Sequence, residues 1–133
     1  MEMTNDEIRN PNQIRNPNDK KIFDLEEWTA RFGEAVIRFV KGVPVSAVTD
    51  SIIRQVVRSS TSIGANYCEA DDCDSRKDFK FKIGICRREA RETKHWLRMI
   101  AVAHDPAKDQ ARALWQEAKE LNLIFGKIRR SVK

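Results

Sequence analysis

The stretch that decides the fold runs from Ser75 to Ile100 and reads SRKDFKFKIGICRREARETKHWLRMI. Its apolar and small residues recur at alternating spacings of four and three; they are Phe79, Ile83, Cys86, Ala90, Thr93, Leu97 and Ile100. Such a heptad seam is typical of a helix that packs lengthwise against other helices. Ser75 and Asp78 form a capping box, which predicts that this helix, helix three, begins directly after Ser75.

Three further amphipathic helices are predicted around helix three. Helix one begins at Phe23, where Asp24 and Glu27 form a capping box, and ends at Gly42. Helix two begins between residues 46 and 50 and ends near residue 70, and its small residues favour close approach of a neighbour; they are Ser59, Ser60 and Gly64. Helix four follows Pro106 and has its own seam, formed by Ala111, Leu114, Ala118, Leu121, Phe125, Ile128 and Val132.

Four helices joined by short connections predict an all-α domain, an antiparallel up-down-up-down four-helix bundle with crossing angles of about 20°. The composition agrees, because 133 residues suit one domain and five Gly with four Pro are few for a strand-rich fold. No apolar run is long enough to span a bilayer, and the N-terminus lacks the apolar core of a signal peptide. We therefore expect a cytoplasmic protein without a membrane partner, with its three cysteines reduced.

The first 22 residues differ in character from the rest. They contain a direct repeat, IRNPN, at residues 8–12 and again at 14–18. Proline disfavours helix at the residue before it, and the pentapeptide is polar. We predict a disordered N-terminal tail over residues 1–22 and the bundle over residues 23–133.

The positive charge is concentrated in helix three. The chain carries a net charge of +5, whereas residues 76–104 alone carry +6. On a helical wheel one flank of helix three collects five cations: Lys80, Arg87, Arg91, Lys94 and Arg98. This basic stripe predicts contact with the phosphates of RNA or DNA, and the alternative is an ordinary solvated helix face. Further cations near the C-terminus also favour the helix dipole.

The opposite flank of helix three carries Glu89, Glu92 and Trp96. Two carboxylates on one face could act as a general acid and base, but no nucleophile or orienting group accompanies them. We favour structural pairing with Arg54 and Arg58 of helix two, within one chain or across a subunit boundary.

Aromatic residues off the seam suggest an interface. Phe81 points away from the seam, and Trp96 lies beside it on an otherwise charged helix. A single outward aromatic is common on protein surfaces, but two on one helix favour contact between subunits.

Motifs for catalysis, metals and cofactors are missing from the sequence. His95 and His104 have no partner at a ligand-like spacing, and Cys68 and Cys73 lie five residues apart without a third soft ligand. Nucleotide-binding glycine loops and a G-x-S-x-G motif are also absent. The expectation is a non-enzymatic protein without a metal site or cofactor.

Part of the sequence resembles a known family. The run IGANYCEADDCDSRKDF at residues 63–79, followed by Lys82-Ile83 and by REARETKHWL at 88–97, resembles the four-helix-bundle family encoded in intervening sequences of bacterial 23S rRNA genes. It is also similar to the accessory variability protein of diversity-generating retroelements. The resemblance covers about residues 24–131. It implies a homopentameric ring without established catalytic activity and, from the retroelement relatives, binding of nucleic acid and of a reverse transcriptase.

Two functional hypotheses follow. The first is an oligomeric helical bundle that binds RNA or DNA through helix three, with a reverse transcriptase or another protein as a further partner. The second is a protein-protein assembly module that does not bind nucleic acid. Because phosphate binding releases counterions, a steep loss of affinity with salt distinguishes the first hypothesis from the second.

Overall fold

The structure is a computed structural model and describes residues 14–15 and 22–133. In this part of the chain it contains two short strands, β1 (Ile14–Arg15) and β2 (Ile22–Phe23), and four helices, α1 (Leu25–Lys41), α2 (Thr49–Asp71), α3 (Arg76–Ala103) and α4 (Lys108–Ser131). The strands pair antiparallel, with Ile14 opposite Phe23. A 3-10 helix, Asp105–Ala107, joins α3 to α4. The disordered tail over residues 1–22 stays a prediction, because residues 1–13 and 16–21 lie outside the described residues.

Local capping explains where the helices begin. The Asp24 carboxylate accepts a hydrogen bond from the Glu27 backbone N–H at 3.2 Å, and the Ser75 hydroxyl accepts one from the Asp78 N–H at 3.1 Å. These bonds satisfy N–H groups that have no partner within the first helical turn. Both predicted capping boxes therefore lie where α1 and α3 begin.

Helix α2 begins through a different pair of residues. The Thr49 backbone N–H donates to the Ser46 hydroxyl at 3.1 Å, while the Ser46 N–H donates to the Thr49 hydroxyl at 2.8 Å. Like a capping box, this reciprocal pair satisfies two backbone N–H groups at the N-terminus of the helix. It fixes the start of α2 within the predicted range of residues 46–50.

Each helix runs antiparallel to the next. The contacts between neighbours show this, because residue numbers rise along one helix while the numbers of the contacted residues fall along the other. Between α1 and α2 the pairs are Thr29 with Gly64 and Gly33 with Ser60. Between α2 and α3 they are Arg58 with Glu92, Ile63 with Cys86, and Glu69 with Lys82. Between α3 and α4 they are Lys94 with Trp115 and Arg87 with Asn122. The predicted antiparallel up-down-up-down order is therefore present.

The core follows the predicted seams. Every seam residue of α3 is buried except Phe79, which is partly buried. From α4 the core receives Ala111, Ala118, Leu121 and Phe125. Two polar members of the seams, Ser59 and Thr93, meet inside the core, where their hydroxyl groups lie 2.8 Å apart. Hydrogen bonding compensates for their loss of water contact.

Small residues bring α1 and α2 close together, as the sequence predicts for helix two. A Cβ atom on Gly64 would lie 3.3 Å from Oγ1 of Thr29, and one on Gly33 would lie 3.7 Å from the carbonyl oxygen of Ser60. A larger side chain at Gly64 would have to push α1 away, because overpacking displaces the neighbouring backbone.

Among residues 14–15 and 22–133, the helices do not include one with the length and apolarity needed to cross a membrane.

Candidate nucleic-acid interface

The seam divides α3 into two flanks that face different neighbours. Residues directly after each seam position lie beside α4, and residues directly before it lie beside α2. All five cations of the predicted stripe are on the α4 side. Two contacts show this placement: Arg87 Cδ lies 3.5 Å from where a Cβ of Gly126 would be, and Lys94 Nζ lies 5.5 Å from the centre of the Trp115 ring.

The matching flank of α4 carries a second row of cations. In an antiparallel helix pair, the same flank of each seam meets its counterpart. The Asn122 side chain donates to the Arg87 carbonyl oxygen at 2.8 Å, and Arg129 Nε lies 3.0 Å from the Cβ position of Gly84. The row in α4 consists of Lys108, Arg112, Trp115, Lys119, Asn122, Gly126 and Arg129, and Arg130 reaches the same place over Gly126.

The two rows together form one surface, which we call the basic face. It has five cations from α3, namely Lys80, Arg87, Arg91, Lys94 and Arg98, and five from α4, namely Lys108, Arg112, Lys119, Arg129 and Arg130. Neither row contains a carboxylate. Among the described residues, the recorded ion pairs involve other basic residues: Arg31, Arg54, Arg58 and Lys82. Within the described part of the chain, the cations of the basic face therefore form no recorded ion pair, although Asp105 lies near Arg98, Lys108 and Arg112 at one end of the face.

One half of this face was missing from the sequence prediction. The stripe on α3 can be predicted from a single helical wheel. The row on α4 is recognised as part of the same surface only when the pairing of the two helices is known. The signal was present in the sequence, because Arg112 and Lys119 directly follow the seam residues Ala111 and Ala118 of α4. Applying the flank rule to both seams finds the second row.

The α2-side flank of α3 is occupied by structural pairs. Arg58 of α2 contacts two carboxylates of α3, with Nη1 at 3.0 Å from Oε2 of Glu89 and Nη2 bonded to Glu92. The indole N–H of Trp96 donates to the same Glu92 oxygen at 3.1 Å. The carboxylates are thus engaged by neighbouring donors, which is the arrangement of a structural pair.

Arg54 departs from the prediction. It was expected to join Arg58 against the carboxylates of α3, but its Nε lies 3.2 Å from Oδ2 of Asp50, one turn earlier in α2. A carboxylate one turn away on the same helix is within reach of an arginine side chain. Such an ion pair does not depend on the position of a second helix. Only Arg58 therefore joins α2 to the carboxylates of α3.

The two aromatic residues of α3 that suggested an interface behave differently. Phe81 is 63% exposed. Trp96 instead is partly buried against the core, with its indole edge-to-face with His95 at a centroid distance of 4.8 Å. The ring and the N–H of Trp96 both have partners within α3, and its place in a subunit interface stays a prediction. Phe81 alone remains an exposed aromatic on this helix.

The three cysteines lie in three environments. Cys68 is exposed, Cys73 is partly buried, and Cys86 is buried in the seam. Burial raises the pKa of the Cys86 thiol to about 12, and burial also raises the pKa of Cys68. Within the described ranges, the structure does not bring three or more His, Cys, Asp or Glu side chains together as a metal site would require. The thiol of Cys73 instead donates to the Glu69 carbonyl oxygen at 3.2 Å.

Comparison with solved structures supports the fold. The chain is similar to a protein of unknown function from the S23 ribosomal protein family of Bacteroides thetaiotaomicron, with a TM-score of 0.71 and 27% sequence identity. The similarity covers 81% of this chain and 100% of that one. Curated proteins give no significant match to the chain.

Comparison with family models identifies the family. The model of the 23S rRNA-intervening sequence protein matches residues 24–127, which extend from the N-cap of α1 into the last turns of α4. This match includes the corner between α2 and α3 and eight of the ten cations of the basic face, all except Arg129 and Arg130. The chain therefore belongs to the 23S rRNA-intervening sequence protein family.

Proposed function

We propose that this protein is a non-enzymatic helical bundle that binds RNA or DNA through the basic face of α3 and α4. The observation that carries the proposal is that antiparallel pairing of the two helices aligns two rows of cations without a carboxylate in either row. A surface of this kind suits a polyanion, because each phosphate that binds Lys or Arg releases condensed counterions.

The dimensions of the face also suit a nucleic-acid backbone. Lys80 and Arg98 are separated by a helical length of about 27 Å. Successive phosphates of one duplex strand are spaced about 3.4 Å along the axis, so the face extends beside about eight of them. Several contacts can therefore form at the same time, even if some of the cations point elsewhere.

Repulsion within the face supports a bound anion. Cations three and four residues apart on a helix repel one another modestly when no counter-charge lies between them. The row in α3 keeps this spacing from Arg87 through Arg91 and Lys94 to Arg98. Binding of phosphates relieves this repulsion. In a purely structural role, the repulsion would destabilise the bundle and nothing would offset it.

Charge reversal in each row tests the proposal. Arg91→Glu alters the α3 row and Lys119→Glu alters the α4 row, and we expect each to weaken binding to structured RNA or duplex DNA by about tenfold or more. Arg38→Glu is the matched control, because Arg38 is exposed on α1 and belongs to neither cation row. Fluorescence anisotropy gives the affinity, and circular dichroism verifies folding. Equal losses in all three variants would contradict a specific role for the basic face.

We also propose that the bundle assembles as a homopentamer, on the strength of the family resemblance and of the exposed Phe81 ring. A ring repeats the basic face five times, and avidity then strengthens contacts that are weak individually. Sedimentation velocity at micromolar concentration tests this assembly. A pentamer that dissociates in Phe81→Ser supports the proposal, and a wild-type monomer contradicts it.

The second candidate function is protein-protein assembly without nucleic-acid binding, with a reverse transcriptase or another protein as partner. It is favoured by exposed apolar side chains near one end of the bundle, where Val45 and Val48 precede α2 and Val102 lies in the last turn of α3. Single exposed apolar residues are common on protein surfaces, so this observation is less specific than the two aligned cation rows. Failure to bind nucleic acid at low salt would favour this candidate.

A further inference from the structure

A groove lies at one end of the basic face, between the last turns of α3 and the first turns of α4. Its volume is about 780 Å³, which is within the range of small-ligand sites. Apolar side chains line it, among them Leu97, Ala101 and Ala111. The alanines leave space between the helices that longer side chains would fill.

The charged residues of the groove connect it to the basic face. Arg98 is the last cation of the α3 row, and Lys108 and Arg112 are the first cations of the α4 row; all three line the groove. One carboxylate, Asp105, lies among them. A phosphate chain that follows the basic face is thus led to an apolar recess.

An apolar recess with a cationic rim suits a ligand that has a flat apolar part attached to a phosphate. A nucleobase with its backbone has this character. In a continuous duplex the faces of each base are covered by stacking, so only an unpaired base can enter a recess. Arg98 and Arg112 carry planar guanidinium groups on which a base can stack.

Trp115 lines the groove but does not offer a free ring face on which a base can stack. Its ring lines the groove, but Lys94 and Lys119 lie close to it, at 5.5 and 5.7 Å from its centre. These lysines compete with a base for the ring faces. The contacts available to a base are therefore the arginine planes and the apolar side chains of the groove.

We propose that this groove accepts an unpaired nucleobase, so that the preferred ligand is a nucleic acid with a bulge, a loop or a single-stranded end beside a duplex. The inference rests on the proposed function, because the basic face supplies the contacts to the backbone. It adds selectivity for unpaired nucleotides, which the two cation rows alone do not provide.

The test compares two labelled RNAs with the same number of phosphates, one a continuous duplex and the other a duplex interrupted by an unpaired bulge. We expect the wild-type protein to bind the bulged RNA about tenfold more tightly, because base stacking contributes about 1–3 kcal/mol per base. Ala101→Phe fills the groove without a change of charge and should bring the two affinities together. Ala113→Phe is the matched control, since Ala113 is exposed on α4 and is not part of the groove lining.

If Ala101→Phe does not fold, a second variant tests whether the groove causes the preference for bulged RNA. Val102 is 81% exposed at the rim, so Val102→Asp should fold normally, and its carboxylate should reduce the preference for bulged RNA. Equal wild-type affinity for the two RNAs, or a preference that survives in the groove variants, overturns the inference and leaves the proposed function standing. Failure of the wild-type protein to bind the two RNAs and a duplex DNA of the same length overturns the proposed function and the inference with it.

Discussion

Lys94 of α3 and Trp115 of α4 form a cation–π contact, with Lys94 Nζ 5.5 Å from the centre of the indole ring. Lys119, one turn further along α4, places its Nζ 5.7 Å from the same ring centre. Contacts of this kind contribute about 0.5–1 kcal/mol at exposed sites. Trp115 therefore holds one cation from each row in place, and the basic face is joined across α3 and α4 by this residue.

Replacement of Trp115 should weaken the junction between the two rows. Trp115→Leu removes two cation–π contacts and part of a half-buried ring, so we expect the free energy of unfolding to fall by about 1–3 kcal/mol. Urea denaturation measures the change. A double-mutant cycle with Lys94→Met should show coupling of about 0.5–1 kcal/mol.

The control for this cycle uses another lysine of α4. Lys127 is exposed and lies outside both cation rows, so Lys127→Met should not couple to Trp115→Leu. Coupling of equal size for Lys94 and Lys127 would show that the measured energy does not come from the cation–π contact.

Arg58 should couple to Glu92, whereas Arg54 should not. Arg58 and Glu92 are partly exposed, so solvent screens the pair, and we expect a coupling energy of about 0.5–1 kcal/mol in a cycle of alanine variants. Arg54 supplies the matched control, because it is on the same helix and pairs with Asp50. Thermal or urea denaturation of the six proteins gives both energies. Coupling of Arg54 as strong as that of Arg58 would contradict the observed pairing.

The buried thiol of Cys86 predicts how stability depends on pH. Burial raises its pKa from 9.0 to about 12, whereas the unfolded chain ionises near the ordinary value. The folded state binds the proton more tightly, so its stability is complete below about pH 9 and falls as the pH rises towards 12. Tyr67 acts in the same direction, because burial also raises its pKa.

The variant Cys86→Ala separates the contribution of this thiol to the pH dependence of stability from that of Tyr67. Urea denaturation at pH 7.5 and pH 10.5 should show that the wild-type protein loses more stability than the variant, by at most about 2 kcal/mol. Because Tyr67 is present in both proteins, the part of its effect that comes from burial cancels in this difference. Identical losses in the two proteins would contradict the assigned burial of the thiol.

Features that depend on one helix could be predicted from the sequence. The seam of α3 and the caps at Asp24 and Ser75 are set by local spacing and local hydrogen bonds, so the sequence contains all the information they need. The antiparallel order follows from short connections, which leave consecutive helices no other direction. The basic row of α3 is likewise a property of one helical wheel.

Features that depend on two helices were predicted incompletely. Arg54 and Arg58 share a face of α2, but a wheel of α2 does not show that Arg58 reaches the carboxylates of α3 while Arg54 pairs with Asp50. Trp96 lies next to the seam, and its burial depends on how closely α2 approaches. The groove needs the ends of α3 and α4 together with their small residues. In each case the missing information is the distance between helices.

The salt dependence of nucleic-acid binding tests the role of the basic face most directly. If about five of its cations contact phosphates of duplex DNA, the logarithm of the association constant should fall with the logarithm of salt concentration with a slope of about −4.5. Affinity should then drop by about 10²–10³ between 50 and 200 mM salt. Arg91→Glu should make the slope shallower, and Arg38→Glu should leave it unchanged. A slope near zero, or no binding at 50 mM salt, would contradict nucleic-acid binding by this face.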